Sequence, residues 1–337
     1  MLNELPSEFT RHIADRLGCG IAIILRGMYL QFSSPDEWTL VNSLLDVAAT
    51  YQMGRGFVFD GIASCVENSI PNISEFGAIF NSGVDEELLM STQCASILAK
   101  LLCKFASGTY ENDLSYSLPA MFCLEKVYYY LCYRVATFSN EEEKKVEGYV
   151  PDQKLWNSVL EAIFHVSCSS EANIAQKGVE SLHHFLLTTK IESIPSKSWL
   201  GALDLLSSKQ PDVTFEILRM KSFGLLVRML LIHVPYLCRD EENLDQLTQV
   251  INRTAALIAE NLGASRQGKV STLFESTVQQ VTNLSNVMLM PEFASEQNFS
   301  QWAGNVLFEE LEKVGAGGAS ARMITATTAK EINDLNK

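Results

Sequence analysis

Ser34-Pro35-Asp36-Glu37-Trp38-Thr39-Leu40-Val41-Asn42-Ser43-Leu44-Leu45 is written as the opening of a helix. Ser34 and Glu37 make a capping box, and Pro35 takes the first helical position, where its missing N–H costs nothing. Asp36 and Glu37 suit the positive end of the helix dipole. A tryptophan in the first turns is followed by apolar residues at helical spacing: Val41, Leu44 and Leu45. The same order of signals returns three times. Pro151-Asp152 precedes Trp156 and the run Val159, Leu160, Ile163, Phe164; Ser193-Ile194-Pro195 precedes Trp199 and Leu203, Leu205, Leu206; Ser300 precedes Trp302 and Val306, Leu307, Leu311. A recurring helix start implies a stack of similar helical units rather than one globule around a catalytic pocket.

The rest of the chain keeps the helical period. Stripes run through Ile13, Leu17, Ile21 and Ile24; through Leu88, Ala95, Leu98, Leu102 and Phe105; and through Met121, Leu124, Tyr128, Leu131 and Val135. They continue through Ala175, Val179, Leu182 and Leu186, and through Leu244, Leu247, Ile251, Leu257 and Ile258. Strict alternation, the mark of a strand, is missing. Trp156 and Trp199 are 43 residues apart with one further helix, about 173–187, between them. A helix pair every ~40–47 residues is the period of HEAT and armadillo units. The expected fold is therefore all-α, a HEAT/armadillo-like helical-repeat solenoid of about a dozen helices. A non-repetitive helical bundle is the alternative.

Four segments are expected. Residues 1–138 form a first helical-repeat block. Residues 139–150, with Glu141-Glu142-Glu143-Lys144-Lys145, read as a charged connection. A second block covers 151–314, and 315–337, beginning Gly315-Ala316-Gly317-Gly318, reads as a flexible tail. A loop is expected from Glu67 to Gly83.

With 337 residues and 47% apolar content, the chain has ample material for a large core. The net charge of −14 repels phosphate backbones at long range, so nucleic acid is not an expected partner. The eight cysteines include no Cys-x-x-Cys. Cys94/Cys103 and Cys123/Cys132 are each nine apart, a spacing that turns the two thiols to opposite sides of a helix. Cysteines set in apolar runs behave as small hydrophobes, which suits a reducing compartment. The longest apolar runs are too short to span a bilayer.

Signals for chemistry are sparse. Gly54-Arg55-Gly56 is too short for a phosphate loop and reads as the start of a helix over Phe57–Val66. Glu180-x-x-His183 places two ligand types on one helix face, as di-iron bundles do, and Glu161 with His165 is the only candidate second pair. An all-helical enzyme would require these four to meet. Arg219, Lys221 and Arg228 make the nearest approach to a basic cluster, inside the apolar stretch 215–234; they are expected to be a snorkelling fringe, or a contact for an acidic partner or phosphoinositide. Tyr128-Tyr129-Tyr130 covers most of a helix circumference, with core on one side and a neighbouring repeat or partner on the other. No catalytic, cofactor-binding or metal-ligating residue is assigned.

Residues 33–45, Ser-Ser-Pro-Asp-Glu-Trp-Thr-Leu-Val-Asn-Ser-Leu-Leu, resemble the Asp/Glu-Trp-x-x-Leu-x-x-Leu-Leu helix found downstream of the catalytic domain in large Arf guanine-nucleotide exchange factors, the Golgi brefeldin-A-resistance type above all. The segment before it, Ile21-Ala22-Ile23-Ile24-Leu25-Arg26-Gly27, is similar to its counterpart there. So are Gln176–Leu182 followed by Trp199-Leu200-Gly201-Ala202-Leu203, and Asn286-Val287-Met288-Leu289-Met290 followed by Trp302. The resemblance covers residues 1–310. It implies a non-enzymatic, HEAT-like region of a longer protein that supports membrane recruitment, autoregulation and partner binding. It also implies a cytoplasmic location at the surface of Golgi membranes, protein partners from the Arf-type GTPase pathway, and no cofactor. The exchange loop of that family carries Pro-Gly-Glu; no Pro-Gly-Glu occurs here, so this chain does not exchange nucleotide by that route. An unrelated cytosolic scaffold, tether or transport adaptor is the other reading of the same helices.

Overall fold

The computed structural model describes residues 7–28, 35–70, 90–138, 152–263, 271–290 and 298–313. Among these, twelve α-helices follow one another: α1 Ser7–Met28, α2 Pro35–Thr50, α3 Gln52–Ser69, α4 Thr92–Ala106, α5 Ser117–Phe138, α6 Gln153–Ser167, α7 Ala172–Thr188, α8 Ser196–Ser208, α9 Glu216–Leu237, α10 Leu244–Gly263, α11 Thr272–Met288 and α12 Asn298–Lys313. Short 3-10 turns occupy Ile191–Ser193 and Glu241–Asn243, and no strand occurs among the described residues. No helix is long and apolar enough to cross a membrane among the residues described.

The helix starts follow the local chemistry. Helix α2 begins at Pro35, as the capping pattern requires. The Asp152 carboxylate accepts the Leu155 N–H at 3.0 Å and closes the first turn of α6. The Ser91 and Ser271 hydroxyls do the same for Cys94 N–H in α4 and Phe274 N–H in α11. Helix α8 differs: its N-cap is Pro195, without a side-chain bond. Trp38, Trp156 and Trp199 each stand fourth in their helices and are buried. Trp302 also lies in the opening turns of its helix, but it is 37% exposed and rests on Phe299.

Two compact units divide the chain: 1–166 with 184–193, and 167–183 with 194–337. The first unit thus extends past the expected connection at 139–150 and includes most of α6, whereas α7 gives residues to both units. Residues 139–150 and the expected tail at 315–337 lie outside the described residues. So does most of the loop expected at 67–83; Glu67, Asn68 and Ser69 belong to α3.

In the first unit α1 packs on α2 and α3, α2 on α3 and α4, α3 on α5, and α4 on α5. In the second, α8 packs on α9 and α10, α9 on α11, α10 on α11 and α12, and α11 on α12. Among the described helices, contacts run to the next one and to the next but one.

The expected stripes of α4, α5, α7 and α10 are buried wherever they are described, apart from the half-buried Leu244. The stripe of α1 is not. Ile13 and Ile24 are exposed, and the buried face is instead Gly18, Ile21, Ala22 and Leu25. Close approach of two backbones explains the difference. A Cβ on Gly18 would stand 2.9 Å from the Gly54 carbonyl oxygen, and one on Gly61 would stand 2.9 Å from the Ala22 Cα. Small residues four apart on α1 meet glycines seven apart on α3, and this seam, rather than the largest side chains, sets the face that turns inward.

Candidate functional site

The described residues hold two buried arginines, and both stand fourth in their helices. Arg55 follows the N-cap Tyr51 of α3, and Arg219 follows the N-cap Phe215 of α9. Each N–H bonds back to its cap carbonyl, Arg55 to Tyr51 at 3.0 Å and Arg219 to Phe215 at 2.9 Å. A cation in this turn opposes the helix dipole, so each needs acceptors of its own.

Arg55 finds them on both sides of α3. Its Nε donates to the Ala49 carbonyl at the end of α2 (3.1 Å). Nη1 donates to Asp113 (2.7 Å) and Nη2 to Glu111 (3.0 Å), both in the loop after α4. That loop is shaped to deliver the carboxylates. Gly108, Glu111 and Asn112 all have left-handed φ, at 65°, 56° and 57°. Such a backbone is costly for glutamate and mild for asparagine, and the ion pairs of Arg55 with Glu111 and Asp113 offset the cost at Glu111. Burial works against the charge on Arg55, but the hydrogen bonds to Asp113 and Glu111 outweigh it, so its pKa lies above the ordinary value. Hydrogen bonds from Ser115, and then from Arg55, hold the Asp113 carboxyl below the usual carboxylate range. Nearby, Asp46 accepts from Lys104 and from Tyr110, each at 2.7 Å. Burial, then the Asp46 bond, pushes the Tyr110 phenol upward. Phe105 meets Phe59, Tyr110 and Tyr116 at ring-centroid distances of 5.3, 5.0 and 5.7 Å, closing the apolar side of the cluster.

Arg219 repeats the arrangement with different partners. Nη1 donates to the Pro211 carbonyl beyond the end of α8 (2.9 Å). Nε donates to the Asn261 amide oxygen and Nη2 to Glu260, both at 2.7 Å, near the end of α10. Each arginine therefore ties the end of the preceding helix, or the chain just after it, to residues at or beyond the C-terminal end of the next described helix. In each set one glutamate faces water: Glu111 is 64% exposed and Glu260 54%.

The burial of Arg219 corrects the expected snorkelling cluster; Lys221 and Arg228 are exposed, so no three-residue basic patch forms. Gly54-Arg55-Gly56 does not start its helix, which begins at Gln52. Gly54 admits Gly18, and a Cβ on Gly56 would stand 3.1 Å from the Tyr116 hydroxyl. Glu180 accepts from Gln176 at 3.0 Å, and the His183 Nε2 lies 3.0 Å from the Lys221 carbonyl oxygen. Glu161 and His165 are exposed. Among the described residues no group of three or more His, Cys, Asp or Glu could hold a metal ion. The three tyrosines face three neighbours. Tyr130 is fully buried and donates to the Met90 carbonyl, Tyr128 meets Phe185 at 5.1 Å, and Tyr129 meets His184 at 5.5 Å.

Sequence reasoning also passed over His233 in α9. Its ring stacks on Trp199 at 4.1 Å with 28° between planes, and it is almost fully buried. Its Nδ1 has no hydrogen-bond partner among the described residues, and burial pushes its pKa down to about 4. A signal for the arginines was present in the sequence: a basic residue in the first turn of an apolar helix is misplaced unless something holds it.

Comparisons with protein-family models, with curated proteins and with solved structures found no match.

Proposed function

We propose that the chain is a HEAT/armadillo-like helical-repeat scaffold that acts by presenting surfaces to partners rather than by catalysis. The observation that carries this reading is the repeated arginine tie. Arg55 and Arg219 lie 164 residues apart, close to four periods of about 41 residues, within the span of such repeats. Packing to the next helix and to the next but one supports the same reading, since stacked helix pairs meet their neighbours in this order.

On the resemblance of residues 33–45 and of the Trp199 and Trp302 helices, the scaffold is the regulatory region of a large Arf guanine-nucleotide exchange factor. It would serve at the cytoplasmic face of the Golgi, in membrane recruitment and partner binding. The test is immunoprecipitation from native extract with an antibody against residues 150–200. A band several times heavier than 37.5 kDa, with exchange activity towards an Arf-type GTPase, is expected. A band at 37.5 kDa without exchange activity would replace this reading with that of a free-standing scaffold or adaptor. The repeat architecture has its own test in small-angle scattering: a solenoid exceeds the radius of gyration of about 20 Å expected for a compact chain of this length.

A further inference from the structure

Helices α3 and α4 run past each other in opposite directions within the first unit. Arg55 and Phe59, early in α3, meet Asp113 beyond the end of α4 and Phe105 near it. The same register carries Cys65, about one turn before the end of α3, to the start of α4, where Cys94 is the third residue. There the two thiols touch: the Cys94 Sγ–H donates to the Cys65 sulfur. Both side chains are buried, and both cysteines are free.

A buried cysteine ordinarily packs as a small hydrophobe and needs no second thiol beside it. Here two thiols 29 residues apart in the sequence are brought into contact from different helices. A disulfide needs the sulfurs closer still, at about 2.05 Å, so a small movement of one side chain or one helix turn must come first. Cys94 stands where its helix gives way most easily. The Ser91 hydroxyl caps the first turn of α4 by accepting the Cys94 N–H at 3.2 Å, and such end turns open at lower free energy than the helix behind them. While the turn is closed the pair is inert: burial, and then the neighbouring Cys65, push the Cys94 thiol far above its ordinary range. Once it opens, water and the positive end of the helix dipole both favour the thiolate.

We propose that Cys65 and Cys94 form a redox modification site, a dithiol that a hydroperoxide converts into a reversible α3–α4 disulfide when the first turn of α4 opens. The Cys94 thiolate attacks one peroxide oxygen, the O–O bond breaks, and Cys94 becomes a sulfenic acid as one water leaves. Cys65 then attacks that sulfur, the S–O bond breaks, and the hydroxide departs with the Cys65 proton as a second water. Two thiols lose two electrons and two protons, and the peroxide gains them. A thiol reductant reverses the bond by exchange. In a reducing compartment such a link is a transient signal rather than a permanent staple. While it lasts, it joins α3 to α4 covalently and makes the first unit harder to unfold.

The test treats the reduced full chain with hydrogen peroxide, labels the remaining thiols with N-ethylmaleimide in denaturant, and reads intact mass and peptide maps. The expected product takes six labels in place of eight and yields one peptide linking Cys65 to Cys94; dithiothreitol restores all eight. Ser91→Ala removes the cap and should speed cross-linking about 5-fold, the factor that one lost cap gives to opening. Cys65→Ala keeps a small apolar side chain in the core and should leave Cys94 as a sulfenic acid that dimedone traps. Replacing the half-buried Cys19 and Cys168 by serine should leave the cross-link unchanged. Far-UV circular dichroism confirms that each variant is folded. A chain that keeps all eight thiols, that is oxidised only at Cys19 or Cys168, or that pairs Cys65 or Cys94 with another cysteine overturns the proposal. So does a cross-linking rate indifferent to Ser91→Ala.

Discussion

Arg55 and Arg219 occupy the same place in their helices, yet the first is matched by two carboxylates and the second by one carboxylate and an amide. The acceptors of Arg55 both reach water, Asp113 being 24% and Glu111 64% exposed. Asn261 beside Arg219 is fully buried, and its Nδ2 has no partner of its own among the described residues. The difference teaches that burying a charge sets two separate demands. The cation must be matched, and whatever matches it must survive its removal.

The largest effect should come from the tryptophans that share this fourth helix position. Trp156, stacked on Phe185 at 5.5 Å, and Trp199, stacked on His233, are both fully buried. Either one changed to alanine should cost about 3–5 kcal/mol in denaturant unfolding. A loss below about 1 kcal/mol would show that the site lies outside the core.

The arginines sharpen the comparison directly. Arg219→Met strands the buried Asn261 oxygen and should cost about 3–4 kcal/mol, whereas Arg55→Met leaves carboxylates that water can solvate and should cost about 2 kcal/mol. Equal losses would mean that the exposure of the acceptors is irrelevant.

His233 gives the second unit an acid sensitivity. Its pKa of about 4 in the folded chain lies below the ordinary 6.5, so the unfolded state binds the extra proton between these values. Stability contributed by the neutral ring is complete above pH 6.5 and is lost as the pH falls towards 4, by about 3 kcal/mol in all. His233→Phe should flatten that part of the curve; an unchanged slope would place the titration elsewhere.

Two glycines on one helix give the smallest effects, with opposite signs. Gly18→Ala drives a Cβ into the Gly54 backbone and should destabilise by about 1–2 kcal/mol. Gly20→Ala meets nothing within 4 Å among the described residues and should stabilise the chain by roughly 0.5–1 kcal/mol. Thermal unfolding of the two variants side by side reads both signs, and a shift in the same direction would mean that the two faces of α1 are packed alike.

These cases also divide what the sequence reveals from what it hides. Caps, prolines and a tryptophan in the first turns are local signals, and they locate α2, α6 and α8 because local geometry alone decides a helix start. The buried face of α1 escaped, since hydrophobicity favours Ile13 and Ile24 while the packing seam is made of Gly18 and Ala22. The arginine ties escaped for a different reason. Their acceptors lie 41 to 58 residues away, apart from the nearby carbonyls, and no periodicity relates them to the cation.

The Arg55 tie bears on how the chain is made. Asp113 is synthesised 58 residues after Arg55. At 5–20 residues per second, α2 and α3 wait roughly 3–12 s on the ribosome before their buried cation has a carboxylate to receive it. During that interval the Arg55 guanidinium has only the Ala49 carbonyl and water to receive it, so the end of α2 and the start of α3 reach their final polar pairing only after the loop at 108–113 has emerged.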